Sequence, residues 1–286
     1  MRLNDFSKNI RVNDQRGQGG LGGGAGGKLG CGAVVIAILG AVVFGIDPMT
    51  TLGTIDQVQQ QTGSGQGQAS GRTVEESCSV NQYSRETCSA LSSLDETWAP
   101  LFAAANIDFE QPTLNFYDGT GRSGCGAAQA AMGPFYCPTD QGIYIDTSFY
   151  DQLDRQLGAG GDFARAYVIG HEYGHHVQTL TGTSNWVRQM QQQNPRQANQ
   201  LQVRMELQAD CYAGVWAAKN PQLIEPGDIE EGLTAASAIG DDKLTQGRVS
   251  PDNFTHGTSQ QRMQWLQKGL RTGDEDQCDT FADVRR

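Results

Sequence analysis

Residues 166–178 read AYVIGHEYGHHVQ, and the run His171-Glu172-Tyr173-Gly174-His175 within them is an H-E-x-x-H pattern. On an α-helix this spacing puts two imidazoles one turn apart on one face, aimed at a single point. Neutral imidazole nitrogens suit zinc, and Glu172, next to His171, can reach a metal-held water without taking a coordination position. The stretch therefore predicts a helix over residues 162–180 with Asp162 as its N-cap, His171 and His175 as metal ligands, and Glu172 as general base. His176 lies one residue past His175, about a hundred degrees off the metal face, and is read as a packing residue. Tyr173 and Gly174 are assigned to helix packing as well.

A catalytic zinc needs a third protein ligand and one position left for water. The chain has four histidines, and His256 is the only one outside residues 171–176. A metzincin ligand set would need glycine at 178 and histidine at 181, where this sequence has Gln178 and Thr181. A carboxylate is then required. A helix expected over 196–219 carries MELQADCYAG, in which Glu206 and Asp210 stand one turn apart. Glu206 would complete a His-His-Glu site. Asp210 would accept the other ring N–H of a ligating histidine, most simply His171, and fix its tautomer. The competing reading of this pair is a solvated acidic face.

Around these two helices the pattern continues as helix over 84–105 (bent or split at Pro100), 148–157, 226–239 and 259–270, the last capped by Thr258 or Ser259. Short strands are expected at 112–117, 135–137 and 143–145. A small sheet beside a helical body is an α+β arrangement. His256 sits in a Gly-Thr-Ser-rich loop just before the last helix, where site residues are often placed. A surface or core histidine is the plain alternative.

The first quarter of the chain differs in kind. Residues 29–46, LGCGAVVIAILGAVVFGI, hold no charge and would reach about 27 Å as a helix, close to the apolar thickness of a bilayer. Basic residues crowd upstream of this run and Asp47 and Asp56 follow it. That asymmetry predicts one transmembrane helix with a cytoplasmic N-terminus and a periplasmic or extracellular domain. No small-x-small cleavage site follows the apolar run, so an uncleaved anchor is expected in preference to a signal peptide. The expected organisation is a Gly-rich basic tail (1–28), the membrane helix (29–46), a flexible Gln/Ser/Gly linker (47–75) and one globular domain (76–286). A net charge of −11 repels phosphate backbones and excludes nucleic acid as a partner. The partners expected are a peptide or protein substrate and, through 29–46, the lipid bilayer.

Seven cysteines are present, with Cys31 alone inside the apolar run. The other six are an even set in an exported segment, so disulfides are expected. Neighbourhood in sequence pairs Cys78 with Cys88 and Cys125 with Cys137, leaving Cys211 for Cys278. Six thiols allow fifteen pairings, and buried free thiols are the alternative.

Five longer segments, GCGAAQAAMGPFYCP from Gly124, IYIDTSFY from Ile143, GDFARAYVIGHEYGHHVQ from Gly161, RMELQADCYAGVW from Arg204 and FTHGTSQQR from Phe254, resemble the bacterial neutral zinc metallopeptidases of the YpfJ type. The resemblance covers nearly the whole chain. It implies a short cytoplasmic tail, one membrane helix and a zincin-like domain. More loosely, the Glu-x-x-x-Asp helix, the Thr-His-Gly and Arg262 look like the Glu-zincins that include relatives of the CAAX prenyl protease. This implies that His256 stabilises the oxyanion of a tetrahedral intermediate, and that an extended peptide pairs with a strand edge, for which 143–146 is the candidate. The expected activity is zinc-dependent peptide hydrolysis. A zinc-stabilised binding or scaffold module and a zinc amidase acting on cell-wall material are the alternatives.

Overall fold

The structure, a computed structural model, describes residues 1–17 and 71–285. In chain order its elements are β1 (Arg11–Asp14), α1 (Val74–Cys78), α2 (Gln82–Ala104), β2 (Thr113–Phe116), β3 (Thr120–Ser123), β4 (Gly126–Gln129), β5 (Phe135–Cys137), β6 (Gly142–Ile145), α3 (Phe149–Arg155), α4 (Asp162–Leu180), α5 (Thr183–Gln193), α6 (Ala198–Lys219), α7 (Asp228–Ala238), α8 (Asp241–Leu244) and α9 (Ser259–Thr272). This is the expected α+β arrangement, dominated by helices.

The sheet runs β1-β2-β6-β5, with β1, β2 and β6 parallel and β5 antiparallel at the far edge. Alternation gives it two different faces. Leu114, Phe116, Ile143 and Ile145 point into the main core, where they meet Leu91, Leu94 and Trp98 of α2 and Phe163, Tyr167 and Tyr173 of α4. Tyr144 and Cys137 point the other way and pack with Tyr117 and Ala128 under the β3–β4 hairpin. The core thus lies between the sheet and a helical layer, and α4 runs through its middle.

α2 continues through Pro100 instead of splitting there. The carbonyl that Pro100 leaves without a donor belongs to Glu96, an exposed residue, so water can serve it. Thr258 caps α9 through a capping box with Gln261. At α4 the N-cap is Gly161, with φ 119°, and Asp162 is instead the first helical residue, where its charge still favours the helix dipole. The expected 196–219 helix begins with a 3₁₀ turn over Pro195–Gln197 before α6. The three disulfides are Cys78–Cys88, Cys125–Cys137 and Cys211–Cys278, with Cα–Cα distances of 5.9, 5.8 and 5.6 Å.

The largest departure from expectation is at the N-terminus. Residues 1–16, assigned to a separate tail, are part of the domain. β1 pairs with β2 from Arg11↔Thr113 to Asp14↔Phe116, and Phe6 and Ile10 are buried in the main core. Arg16 is 5% exposed; it lies over the Phe116 ring and donates to Asp14, Ser84 Oγ and the Ser77 carbonyl. Among the described residues no helix is long and apolar enough to cross a membrane, and the run 29–46 lies outside the described residues.

Candidate active site

α4 and α6 cross in opposite directions: Tyr167 and His171 of one meet Asp210 of the other, and Gln178 meets Met205. The contact is close because α4 carries glycine where it passes Ala209. A Cβ on Gly174 would lie 2.8 Å from the Ala209 Cα. This approach lets side chains on both helices converge.

Three of them do. His171 Nε2 lies 3.1 Å from Glu206 Oε2, and His175 Nε2 lies 3.5 Å from the same oxygen. The ligand atoms of His171, His175 and Glu206 fall within 4.8 Å of one another, so this group could hold a metal ion. Donors about 2.1 Å from a tetrahedral zinc stand roughly 3.4 Å apart, close to both distances, and the donor set of two imidazoles and a carboxylate is one that catalytic zinc takes. The other nitrogen of each ring is engaged. His171 Nδ1 is 2.8 Å from Asp210 Oδ1, and His175 Nδ1 is 2.9 Å from Gln178 Oε1. Each imidazole can therefore donate Nδ1–H outward and turn the Nε2 lone pair inward.

The side chains behind these contacts are also fixed. Asp210 is fully buried and accepts from Tyr167 Oη, Arg262 Nε and Arg262 Nη2 at 2.6, 2.9 and 2.8 Å. Arg262, on α9, is 2% exposed and also donates to the Ile239 carbonyl. Gln178 is held by donating to the Met205 carbonyl and to Gln208 Oε1. Gln202 Nε2 donates to Glu206 Oε1 at 2.9 Å.

The charges follow from burial and pairing. Burial opposes ionisation of both acids, but His175 and His171 hold Glu206 well below the usual carboxylate range, and Arg262 and His171 hold Asp210 at about 2. In the metal-free fold, burial disfavours the His171 imidazolium, yet the Asp210 and Glu206 carboxylates outweigh it and raise its pKa to about 9. Glu172 is 8% exposed, and burial pushes its carboxyl above the ordinary range against the pull of the two histidines. Among the described residues no hydrogen bond engages the Glu172 carboxyl, which leaves it able to take a proton.

The loop that carries His256 packs against α6 beside this arrangement. Gly257 packs beside Val203 and Leu207, on the Glu206 turn of α6, and the His256 charge acts on Glu206. Its loop is shaped by Asp241, whose Oδ2 accepts the backbone N–H groups of Thr255, His256 and Gly257, while Oδ1 is 3.2 Å from His256 Nδ1. Half of the His256 side chain is exposed.

His171, His175 and Glu206, expected as ligands, lie together in a group that could hold a metal, and His176, expected in packing, is fully buried on α4 between Tyr136 Oη and the Glu110 carbonyl. The sequence reading missed Asp241, Gln178, Tyr167 and Gln202, whose parts depend on distances that only the fold supplies. The expected peptide-binding edge at 143–146 is corrected: β6 is bonded on both sides, by β2 and β5, and has no free edge. The outer strand next to α4 is β5. A second acidic group, Asp162, Asp228 and Glu231, already holds the Met1 amino group at 2.8 and 3.0 Å from its two aspartates.

The family described as "Putative neutral zinc metallopeptidase" matches residues 1–281. An Escherichia coli protein named "Uncharacterized protein YpfJ" is 46% identical over 295 residues, covering 99% of each chain. A Mycobacterium tuberculosis protein named "Uncharacterized protein Rv2575" is 42% identical over 206 residues, 66% of this chain and 68% of its own. No solved structure matches.

Proposed function

The chain belongs to the neutral zinc metallopeptidase family, and from that premise we propose that it hydrolyses peptide bonds, with zinc held by His171, His175 and Glu206. The observation that carries this reading is the pairing of that cluster with a buried, unbonded Glu172 whose carboxyl sits above its usual pKa. When bound, zinc would acidify a coordinated water and polarise the scissile carbonyl. Glu172 takes the proton of the attacking water and returns it to the leaving amine. Asp210 and Gln178 keep the two imidazoles turned, so the ligands need no reorganisation. His256, held by Asp241, donates a hydrogen bond to the oxyanion. An extended peptide lies along the outer edge of β5, its backbone pairing with the strand. Three disulfides suit an oxidising compartment, so the catalytic centre faces the periplasm or exterior, and the apolar run 29–46 associates with the bilayer.

The test uses the purified full-length chain loaded with zinc and offers it unstructured protein and, separately, cell-wall material. Glu172→Gln should retain stoichiometric zinc and lose at least about a hundredfold in peptide hydrolysis. Glu206→Ala should lose the metal. Equal activity of Glu172→Gln and wild type rejects the base; turnover of cell-wall material alone rejects the substrate class; zinc retained by Glu206→Ala rejects the ligand.

A further inference from the structure

Sequence asymmetry around 29–46 sets the N-terminus and the domain on opposite sides of a bilayer. The fold makes that arrangement costly. The domain is assembled from chain on both sides of the apolar run, because residues 1–16 supply an edge strand, two core residues and a buried cation.

Consider what separation would remove. β2 would lose the four-residue register that joins it to β1 and become an open edge. Phe6, 8% exposed, and Ile10, 4% exposed, would leave apolar gaps in the main core. Asn115 Oδ1 would lose the Asn13 amide, and the Ser77 carbonyl and Ser84 Oγ would lose Arg16. Arg16 is almost wholly buried, with both guanidinium nitrogens and Nε satisfied inside the domain, which marks a permanent contact.

The two flanks are also fastened to each other. Asp14 Oδ2 accepts from Arg16 Nη2 at 2.7 Å and from Arg72 Nη1 at 3.0 Å. Asp14 itself is 3% exposed. The chain before residue 18 and the chain after residue 70 thus meet on one carboxylate, far closer than a hydrocarbon layer of roughly 30 Å allows for groups on its opposite sides. Eighteen residues of helix reach about 27 Å, enough for one crossing and too few for two.

We infer that residues 1–16 and the catalytic centre occupy one and the same aqueous compartment, so that residues 29–46 do not act as a one-pass anchor between a cytoplasmic tail and an exported domain. Two of the upstream basic residues that suggest otherwise are used within the fold: Arg16 binds Asp14, and Arg11 binds Glu110.

The experiment compares two exposed positions in the full-length chain with Cys31→Ala as background, leaving only paired cysteines. Lys8→Cys lies on the N-terminal segment, where the lysine side chain is 81% exposed, and Arg271→Cys lies on the exposed side of α9. Spheroplasts of an expressing Gram-negative host are treated with a membrane-impermeant maleimide, with and without lysis. The two positions should label to within about twofold of each other in both conditions. Labelling of Arg271→Cys in intact spheroplasts while Lys8→Cys needs lysis, or the reverse, overturns the inference. If both need lysis, the shared compartment stands and the outward-facing placement in the proposed function fails, so the two ideas are separable.

Discussion

Arg262 reaches the candidate metal centre through Asp210. Its guanidinium grips both oxygens of a fully buried Asp210, which in turn orients His171. Arg262→Leu leaves that carboxylate buried without its cation, a change that costs about 3–5 kcal/mol. Arg262→Lys keeps the charge but loses the two-pronged geometry, so its zinc affinity should fall roughly 10- to 100-fold by chelator competition while the fold survives. Wild-type melting and wild-type zinc retention in both variants would remove Arg262 from this part. His176 gives a different residue-scale prediction. Burial disfavours its charged form and lowers its pKa to about 4. The neutral ring donates from Nε2 to the Glu110 carbonyl and accepts at Nδ1 from Tyr136. Because the unfolded chain binds this proton at a pKa near 6.5, the contribution is whole above that pH. It is lost as pH falls toward 4, up to roughly 3 kcal/mol. His176→Gln should flatten the melting temperature between pH 6.5 and 4; an unchanged slope would assign the acid sensitivity elsewhere. In the sequence His171, Glu172 and His175 were legible because their spacing is itself the chemistry. Asp241 was not, since 15 residues separate it from His256 and nothing local joins them.

At the scale of elements, glycines set the spacing. Gly174 lets α6 approach α4, and Gly214 and Gly269 do the same for α6 and α9, each backbone lying where the other's Cβ would go. Gly174→Ala would press a methyl group against the Ala209 backbone, which cannot rotate aside. We expect a loss of about 1–3 kcal/mol in stability, with Glu206 carried away from the histidines and zinc affinity reduced with it. Retention of wild-type zinc affinity would mean that the helices can slide without disturbing the site. The long helices could be read from their apolar period, and Glu206 was found because it lies on one of them. α5 was missed because TSNWVRQMQQQ is nearly all polar and buries only Thr183 and Val187. The β3–β4 hairpin escaped because its glycines and small residues carry no alternation, and its inner face is covered by just a few side chains. β1 was hidden by its neighbours: four residues next to a glycine tract look like tail, and only a partner far along the chain makes them a strand.

For the whole molecule, protons and zinc compete for one place. With His171 raised to about 9, the metal-free fold gains from the protonated ring below pH 6.5 and loses that gain as pH climbs to 9. Zinc requires the neutral ring, so the rise in melting temperature on zinc addition should grow steadily from pH 6.5 to 9. A zinc-induced shift that is constant across this range would show that no ligand proton is displaced. The same fold also sets a schedule for its own completion. Asn13 and Asn115, neighbours across β1 and β2, are separated by 102 residues. A ribosome makes β1 first and must finish both α1 and α2 before its partner exists. Closing so long a loop is slow, and β2 stays unprotected until it closes. β1 therefore waits for a partner that is made long after it, and is among the last strands of the sheet to be seated.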